Sequence, residues 1–317
     1  MRINAAYAAE LLKSKDNILI LTHDHPDGDT LGTAYALCRA LRSLGKKAVV
    51  KCPDKIPASY AFMWQNLPEQ DFEPAFIVAV DIADSVLLGA EYEAIYKDII
   101  NLSIDHHGSN NLKADYILLE SDAAAAAEII YDVLMELGAS LDPAIADCIY
   151  TGLSTDTGCF RYSNTSARSH RLAAILIDAG ANKDEINQVF FETKSRVYAA
   201  LERLALDSMT MYFDDRLAVI TIVQEMFRIT GANESECDRL SALPRQIEGV
   251  LVGVTLRETK DGNFKASIRT NGPLNAAVLA AKMGGGGHAK AAGCRLDGPL
   301  EKAMEVLLKN VSEEIAP

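Results

Sequence analysis

Three short stretches of the chain gather histidine and aspartate: His23 with Asp27 and Asp29 in "THDHPDGDT", Asp81 in "VDIAD", and Asp105, His106 and His107 in "IDHHGSN". None of the three contains a Lys or Arg that would offset its carboxylates. Two unit charges about 4 Å apart interact by about 4 kcal/mol near a protein surface, so acids brought together in this way need protons or cations. Mixed imidazole and carboxylate donors suit Mn²⁺, Fe²⁺ or Zn²⁺ better than Ca²⁺, which prefers cages of oxygen. Histidine placement points the same way. Four of the six histidines (His23, His25, His106, His107) lie in these stretches and a fifth, His288, ends "GGGGH", whereas His170 sits on a helical pattern between Arg168 and Arg171 and reads as an ordinary packed or surface residue.

A parallel sheet would bring such stretches together. The apolar runs "NILIL" (17–21), "AVV" (48–50), "FIVAV" (76–80), "LSI" (102–104) and "YILL" (116–119) read as strands buried on both faces. "TLGTAYALCRALRSLGKK" repeats apolar residues at helical spacing and ends on a capping Gly45, so strand, loop, helix and strand follow in the order of a βαβ unit. In open sheets of this kind ligands bind beyond the carboxyl ends of the strands, and all three acidic stretches follow directly on a strand. Helices are expected over 123–138, 142–153 and 166–180. The fold class is α/β: a parallel-sheet domain over 1–185, a polar helical connector over 186–212, and a smaller α/β domain over 213–317 containing strands "LAVITI", "GVLVGVTLRE" and "NFKASIRT". In that second domain "MGGGGHAKAAG" offers bare backbone that could approach a ligand and N–H groups that could cradle a phosphate.

Composition sets limits on partners. The net charge of −13 lies in the first two thirds, where residues 1–212 hold 18 Lys and Arg against 30 Asp and Glu, while residues 213–317 hold 13 against 14. Long duplex DNA is disfavoured as a partner, because that mode of binding needs several cationic contacts to phosphate. Short phosphorylated ligands remain open. No apolar run approaches the roughly 20 residues of a membrane span, and "MRINAAYAAELLKSKD" reads as an amphipathic helix without a signal-peptide core, so a cytoplasmic protein without a membrane partner is expected. The six cysteines show no C-x-x-C pair and are read as reduced, packed thiols.

"THDHPDGDTLGT", "VDIAD", "IDHHGSN", "STDTGCFR" and "GGGGHAKAAG" stand in the order of the motifs of the DHH phosphoesterase superfamily, which includes RecJ-type exonucleases, and the chain resembles it over nearly its whole length. The layout is most similar to its oligoribonuclease and pAp phosphatase family, NrnA. The resemblance implies two divalent ions, Mn²⁺ above all. His23, Asp27 and Asp81 would hold one; Asp29, Asp81, His106 and Asp156 would hold the other, with Asp81 as the bridge. Water rather than a side chain would be the nucleophile. Asp105 is expected to orient an imidazole, and His107 to donate to a phosphate oxygen. Arg161 is read either as a phosphate contact or as the partner of a nearby acid. Arg269, Gly285, Gly286, Gly287 and His288 match substrate-binding positions of the second domain, and Asp24 and His25 fall at variable positions and read as solvated.

The function so implied is hydrolysis of short oligoribonucleotides to mononucleotides and of pAp to AMP. One alternative is a phosphodiesterase of cyclic di-AMP or the linear dinucleotide pApA; another, outside the enzymes, is a nucleotide-binding sensor. No ligand position of the motifs is missing, which disfavours the sensor. A homodimer is an assembly this reading leaves open.

Overall fold

The five apolar runs form one sheet in the computed structural model, which describes residues 1–315, with the side chains of Ser235, Asp238 and Arg239 outside the description. Its strands are β1 (Ile18–Leu21), β2 (Ala48–Lys51), β3 (Phe76–Val80), β4 (Leu102–Asp105) and β5 (Tyr116–Leu119). They lie in the order β2-β1-β3-β4-β5 with every ladder parallel. The continuous apolar runs have a direct reason. Ile18, Ile20, Val78 and Val80 enter the core on one face, and Leu19, Leu21, Ile77 and Ala79 enter a second core on the other.

Seven helices belong to this first unit, Met1–Thr193. They are α1 (Ala5–Ser14), α2 (Gly28–Ser43), α3 (Gly89–Tyr96), α4 (Ala126–Leu137), α5 (Pro143–Asp156), α6 (Ala167–Asp178) and α7 (Lys183–Asn187). The larger core takes its helical side chains from α1, α2, α4, α5, α6 and α7, while Tyr92 and Tyr96 of α3 pack against the smaller one. In the order 2-1-3-4-5 the sheet is extended one way from β1 to β2 and the other way from β3 onward, so the switch point at which such sheets open a crevice lies between β1 and β3.

Helices α2 and α5 lie against each other through glycine. A Cβ on Gly32 would collide with the Cys148 carbonyl oxygen, and one on Gly152 would come within 2.8 Å of Asp29 Oδ1 and 2.9 Å of the Ala127 Cβ. Gly32→Ala is therefore expected to cost about 1–3 kcal/mol through overpacking of backbone on backbone. Thermal unfolding should show a Tm lowered by roughly 2–12 °C. An unchanged Tm would mean that the two helices part freely.

From Lys194 onward the chain forms a second unit. Its strands are β6 (Thr210–Tyr212), β7 (Leu217–Ile222), β8 (Val252–Glu258), β9 (Phe264–Thr270), β10 (Gly286–Gly287) and β11 (Ala291–Leu296), in the order β10-β11-β9-β8-β7-β6 with only β7 and β8 parallel. Its helices are α8 (Arg196–Asp207), α9 (Gln224–Thr230), α10 (Ala276–Lys282) and α11 (Leu300–Ile315). One face of the sheet packs on α10 and α11, the other on Tyr198, Leu201 and Ala205 of α8.

The stretch expected as a connector, 186–212, is divided between the units. Its first part, α7 and a π-helical turn at Gln188–Glu192, stays with the first, whereas α8 and β6 belong to the second. Leu201 and Ala205 are fully buried, an apolar stripe narrow enough to be hidden among the polar residues of α8. No helix among the described residues is long and apolar enough to cross a membrane.

Candidate metal centre

The loops after β1, β3 and β4, the first turn of α2 and the last residue of α5 bring six side chains together in the first unit. His23 Nε2 lies 3.7 Å from Asp27 Oδ1 and 3.6 Å from Asp81 Oδ2. His106 Nε2 lies 3.8 Å from Asp29 Oδ2, 3.6 Å from Asp81 Oδ1 and 3.3 Å from Asp156 Oδ2. Two triads share no residue, His23 with Asp27 and Asp81, and Asp29 with His106 and Asp156, and a third grouping of Asp81, His106 and His107 overlaps both, each having its donor atoms within 4.8 Å of one another. Asp81 turns one oxygen toward each of the two separate triads.

Local structure fixes the donors. Asp27 caps α2, its Oδ1 accepting from the N–H groups of Asp29 and Thr30. Asp29 is fully buried and accepts from the N–H groups of Ala126 (2.6 Å) and Ala127 (2.9 Å). Those groups open α4, whose own N-cap residue, Ala125, has no side-chain acceptor to give. Asp81 holds a left-handed backbone (φ +57) directly after β3, a conformation that aspartate adopts more readily than most residues and that concentrates at functional sites.

The imidazoles are aimed by carbonyls. His23 Nδ1 lies 2.6 Å from the Asp24 carbonyl and His106 Nδ1 lies 3.2 Å from that of Ala123. A carbonyl only accepts, so Nδ1 carries the proton, and in the neutral ring the Nε2 lone pair faces the carboxylates.

Like charge in a dry site has its expected effect. Burial, with Asp29 next, raises the Asp81 carboxyl well above its usual range. Burial, with Asp29, Asp27 and Asp81, pushes Asp156 up to about 10, and burial raises Asp29 as well. For His23 burial acts downward, but the Asp27 and Asp81 carboxylates outweigh it and lift the ring to about 11. Asp81 Oδ1 and His106 Nε2 are both buried without a hydrogen-bond partner, a costly state for two polar atoms unless something binds between them. Six nitrogen and oxygen donors in two groups, with a shared carboxylate and two orphaned atoms, fit a pair of divalent cations.

Asp105 and His107 stand at the edge of the cluster. Asp105 Oδ1 accepts from His107 Nδ1 at 2.8 Å, and Oδ2 accepts from Asn110, so that Nε2 of the half-exposed His107 is left to other partners. That hydrogen bond lifts His107 to about 9; burial acts upward on Asp105, but His107 and Asn110 hold its carboxyl below the usual range. Arg161 is exposed, bonds the Gly158 carbonyl at 2.6 Å and has no carboxylate partner among the described residues. His25 is exposed and lies 3.1 Å from Asp54; His170 stacks on Phe160. Sequence reasoning missed Thr30, whose hydroxyl joins the Val80 carbonyl to the His23 N–H, and Asn110. Their only signal was position, in loops already crowded with chemistry.

In the second unit Arg269 lies opposite Ala291 on neighbouring strands, its Nη2 3.1 Å from the Ser241 hydroxyl. His288 is exposed at the tip of the β10–β11 hairpin, closed by its own N–H and carbonyl to Ala291. The four glycines divide their work. Gly284 (φ +76) and Gly285 end α10, their N–H groups bonded to the carbonyls of Ala281 and Ala280 in a Schellman arrangement. A Cβ on Gly287 would meet Ala292, whereas Gly284 and Gly286 have open space around them, and only Gly286 combines that space with a negative φ. The N–H of Gly285, expected in a phosphate cradle, is thus already committed to the helix end.

Comparison with known proteins adds the lineage of this arrangement. The DHH family, N-terminal domain, matches residues 17–153, and the DHHA1 domain matches residues 218–316. A Thermus thermophilus protein named bifunctional oligoribonuclease and PAP phosphatase NrnA is 35% identical, covering 97% of this chain and 93% of its own. An exopolyphosphatase-related protein from Bacteroides fragilis has the same fold (TM-score 0.87, 24% identity, 98% of this chain and 95% of that one). So, more distantly, does exonuclease RecJ bound to manganese (TM-score 0.56, 13% identity, 99% and 97%).

Proposed function

The chain belongs to the DHH family, within its NrnA group, and from that premise we propose that it is a metal-dependent phosphoesterase which hydrolyses short oligoribonucleotides to mononucleotides and pAp to AMP. The observation that carries the reading is Asp81, with one oxygen toward each triad and its Oδ1 left unpartnered opposite His106 Nε2. His23, Asp27 and Asp81 would hold one cation, and Asp29, Asp81, His106 and Asp156 the other, with Mn²⁺ the ion proposed. Two such ions, when bound, lower the pKa of water and neutralise charge gathering on a phosphoryl group.

The chain's own residues do the rest. Asp105 orients His107, and with its ring lifted to about 9 His107 is a cation at neutral pH whose Nε2–H donates to a phosphate oxygen as charge develops there. Water adds to phosphorus, the bond to the ribose oxygen breaks, and that oxygen takes a proton. Arg269, His288 and the backbone at Gly286 supply contacts to substrate from the second unit, with Arg161 a further cation on the first. The acidity of residues 1–212 supports short substrates over long duplex DNA.

The test is product chromatography after incubation with Mn²⁺ and pAp, pApA, an RNA pentamer, an RNA of about 24 residues, cyclic di-AMP or pyrophosphate. AMP from pAp together with mononucleotides from the short RNAs is expected. Cleavage of cyclic di-AMP alone would replace the reading with that of a signalling phosphodiesterase, and silence throughout would favour a sensor. His288→Ala should raise KM roughly tenfold with kcat nearly kept, the effect of losing one charge-assisted contact formed equally in ground and transition states. A loss confined to kcat would move His288 into the chemical step.

A further inference from the structure

From the loop after β5 into the first turn of α4 the chain runs "SDAAAAAE" (121–128), with alanine uninterrupted from 123 to 127 up to Glu128. This backbone meets two of the six clustered side chains and is tied to the backbone of a third residue. The Ala123 carbonyl accepts from His106 Nδ1, and the N–H groups of Ala126 and Ala127 donate to Asp29. Asn164 Nδ2 ties the Ala124 carbonyl (2.9 Å) to the carbonyl of Asp156 (3.1 Å). These three residues make up one triad. The other is held by different means: His23 by the Asp24 carbonyl, Asp27 by the start of α2, and Asp81 by its N–H to the Ile104 carbonyl.

Alanine cannot order a loop through its own side chains, so the run takes its shape from what grips it. Glu128 does so from within. It is fully buried, its Oε2 accepts from the Ala124 N–H at 3.1 Å, its Oε1 accepts from the Ser169 hydroxyl at 2.7 Å, and Arg168 Nε lies 3.7 Å away. Arg168 also pairs with Glu120 (2.8 Å) before the run and Asp132 (2.6 Å) after it, fastening α6 to both ends. Asn164 grips the run from the solvent side. Neither residue touches a donor atom of the centre; Asn164 reaches only the backbone carbonyl of Asp156.

We propose that Glu128 and Asn164 are positioning residues for one half of the centre, Asp29, His106 and Asp156, acting through the backbone of residues 123–127. The assignment rests on the two-cation reading above. It predicts a selective defect, because the grip reaches one triad only. Groups that orient metal ligands typically contribute about 10–100-fold to affinity.

The experiment is calorimetric titration of the metal-stripped full-length chain with Mn²⁺, with the spin resonance of the bound ion as a second readout, for wild type, Glu128→Gln and Asn164→Ala. Wild type should take up two ions. In the variants one ion should bind as in wild type and the other about 10–100-fold more weakly, with circular dichroism unchanged. Asn164 is exposed, so its variant folds even where the buried Glu128→Gln does not. Equal weakening of both ions in Asn164→Ala, the mark of general loosening, overturns the assignment, and so do two ions bound with wild-type affinity. Wild type holding a single ion overturns instead the two-cation reading, and the assignment falls with it.

Discussion

Asp81→Asn is expected to lower kcat by on the order of 10³-fold or more, about 4 kcal/mol of transition-state stabilisation, while the fold stays intact. Both halves of the expectation come from one residue. The carboxylate directs its two oxygens at different imidazoles, His23 and His106, and an amide offers only one oxygen and no charge. The backbone loses nothing: asparagine accepts the left-handed conformation at φ +57 as readily as aspartate does, and the N–H to the Ile104 carbonyl is kept. Burial and the neighbouring acids already push the Asp81 carboxyl toward its neutral form, so a neutral amide in its place should leave the Tm of the metal-free protein unchanged or raised. Steady-state kinetics on a short RNA, paired with thermal melts, reads both. Activity within tenfold of wild type would remove Asp81 from the bridging role; a collapsed Tm would show that its charge serves the fold.

The parts of this fold legible in sequence are those where burial alone chooses the residue. Strands β1 and β3 are apolar on both faces because each face meets its own core, and a run such as "FIVAV" admits few other readings. Position after a strand then marks the chemistry, since His23, Asp81 and the Asp105 to His107 stretch all follow strands that are neighbours in the sheet. Where hydrogen bonding chooses the residue, sequence says less. Helix α5 runs on to Asp156, beyond the apolar pattern that ends at Leu153, because the hydroxyls of Ser154 and Thr155 bond back to carbonyls of the preceding turn. The glycines after Met283 read as a bare anion cradle, yet two of them end α10 and a third makes room for β11. Glu128 had a signal in principle, the one acid closing a run of alanines. In sequence it reads only as part of a helix, because periodicity records which face a residue takes and not what its carboxylate grips.

Mn²⁺ affinity should rise about 100-fold or more between about pH 6 and pH 8, tenfold per unit for each proton the ion displaces. The sign follows from the folded protein holding more protons than the unfolded chain. Asp156 goes from 3.8 to about 10, Asp81 and Asp29 are raised, and His23 goes from 6.5 to about 11. Stability from these groups is present at low pH. That of the carboxylates is lost as pH rises from 3.8 through their folded values, and that of His23 as pH rises from 6.5 through about 11. Asp27 and Asp105 run the other way, their contribution being lost only as pH falls below 3.8, so neither changes the slope near neutrality. The metal-free protein should therefore melt at lower temperature at pH 8 than at pH 6. A cation that replaces those protons should bind more tightly, and raise the Tm further, at the higher pH. Calorimetry in two buffers of different ionisation enthalpy counts the protons released, and at least one is expected near pH 7. An affinity flat across this interval, with no proton released, would mean that the acids are already ionised in the metal-free chain and that some other cation neutralises the cluster.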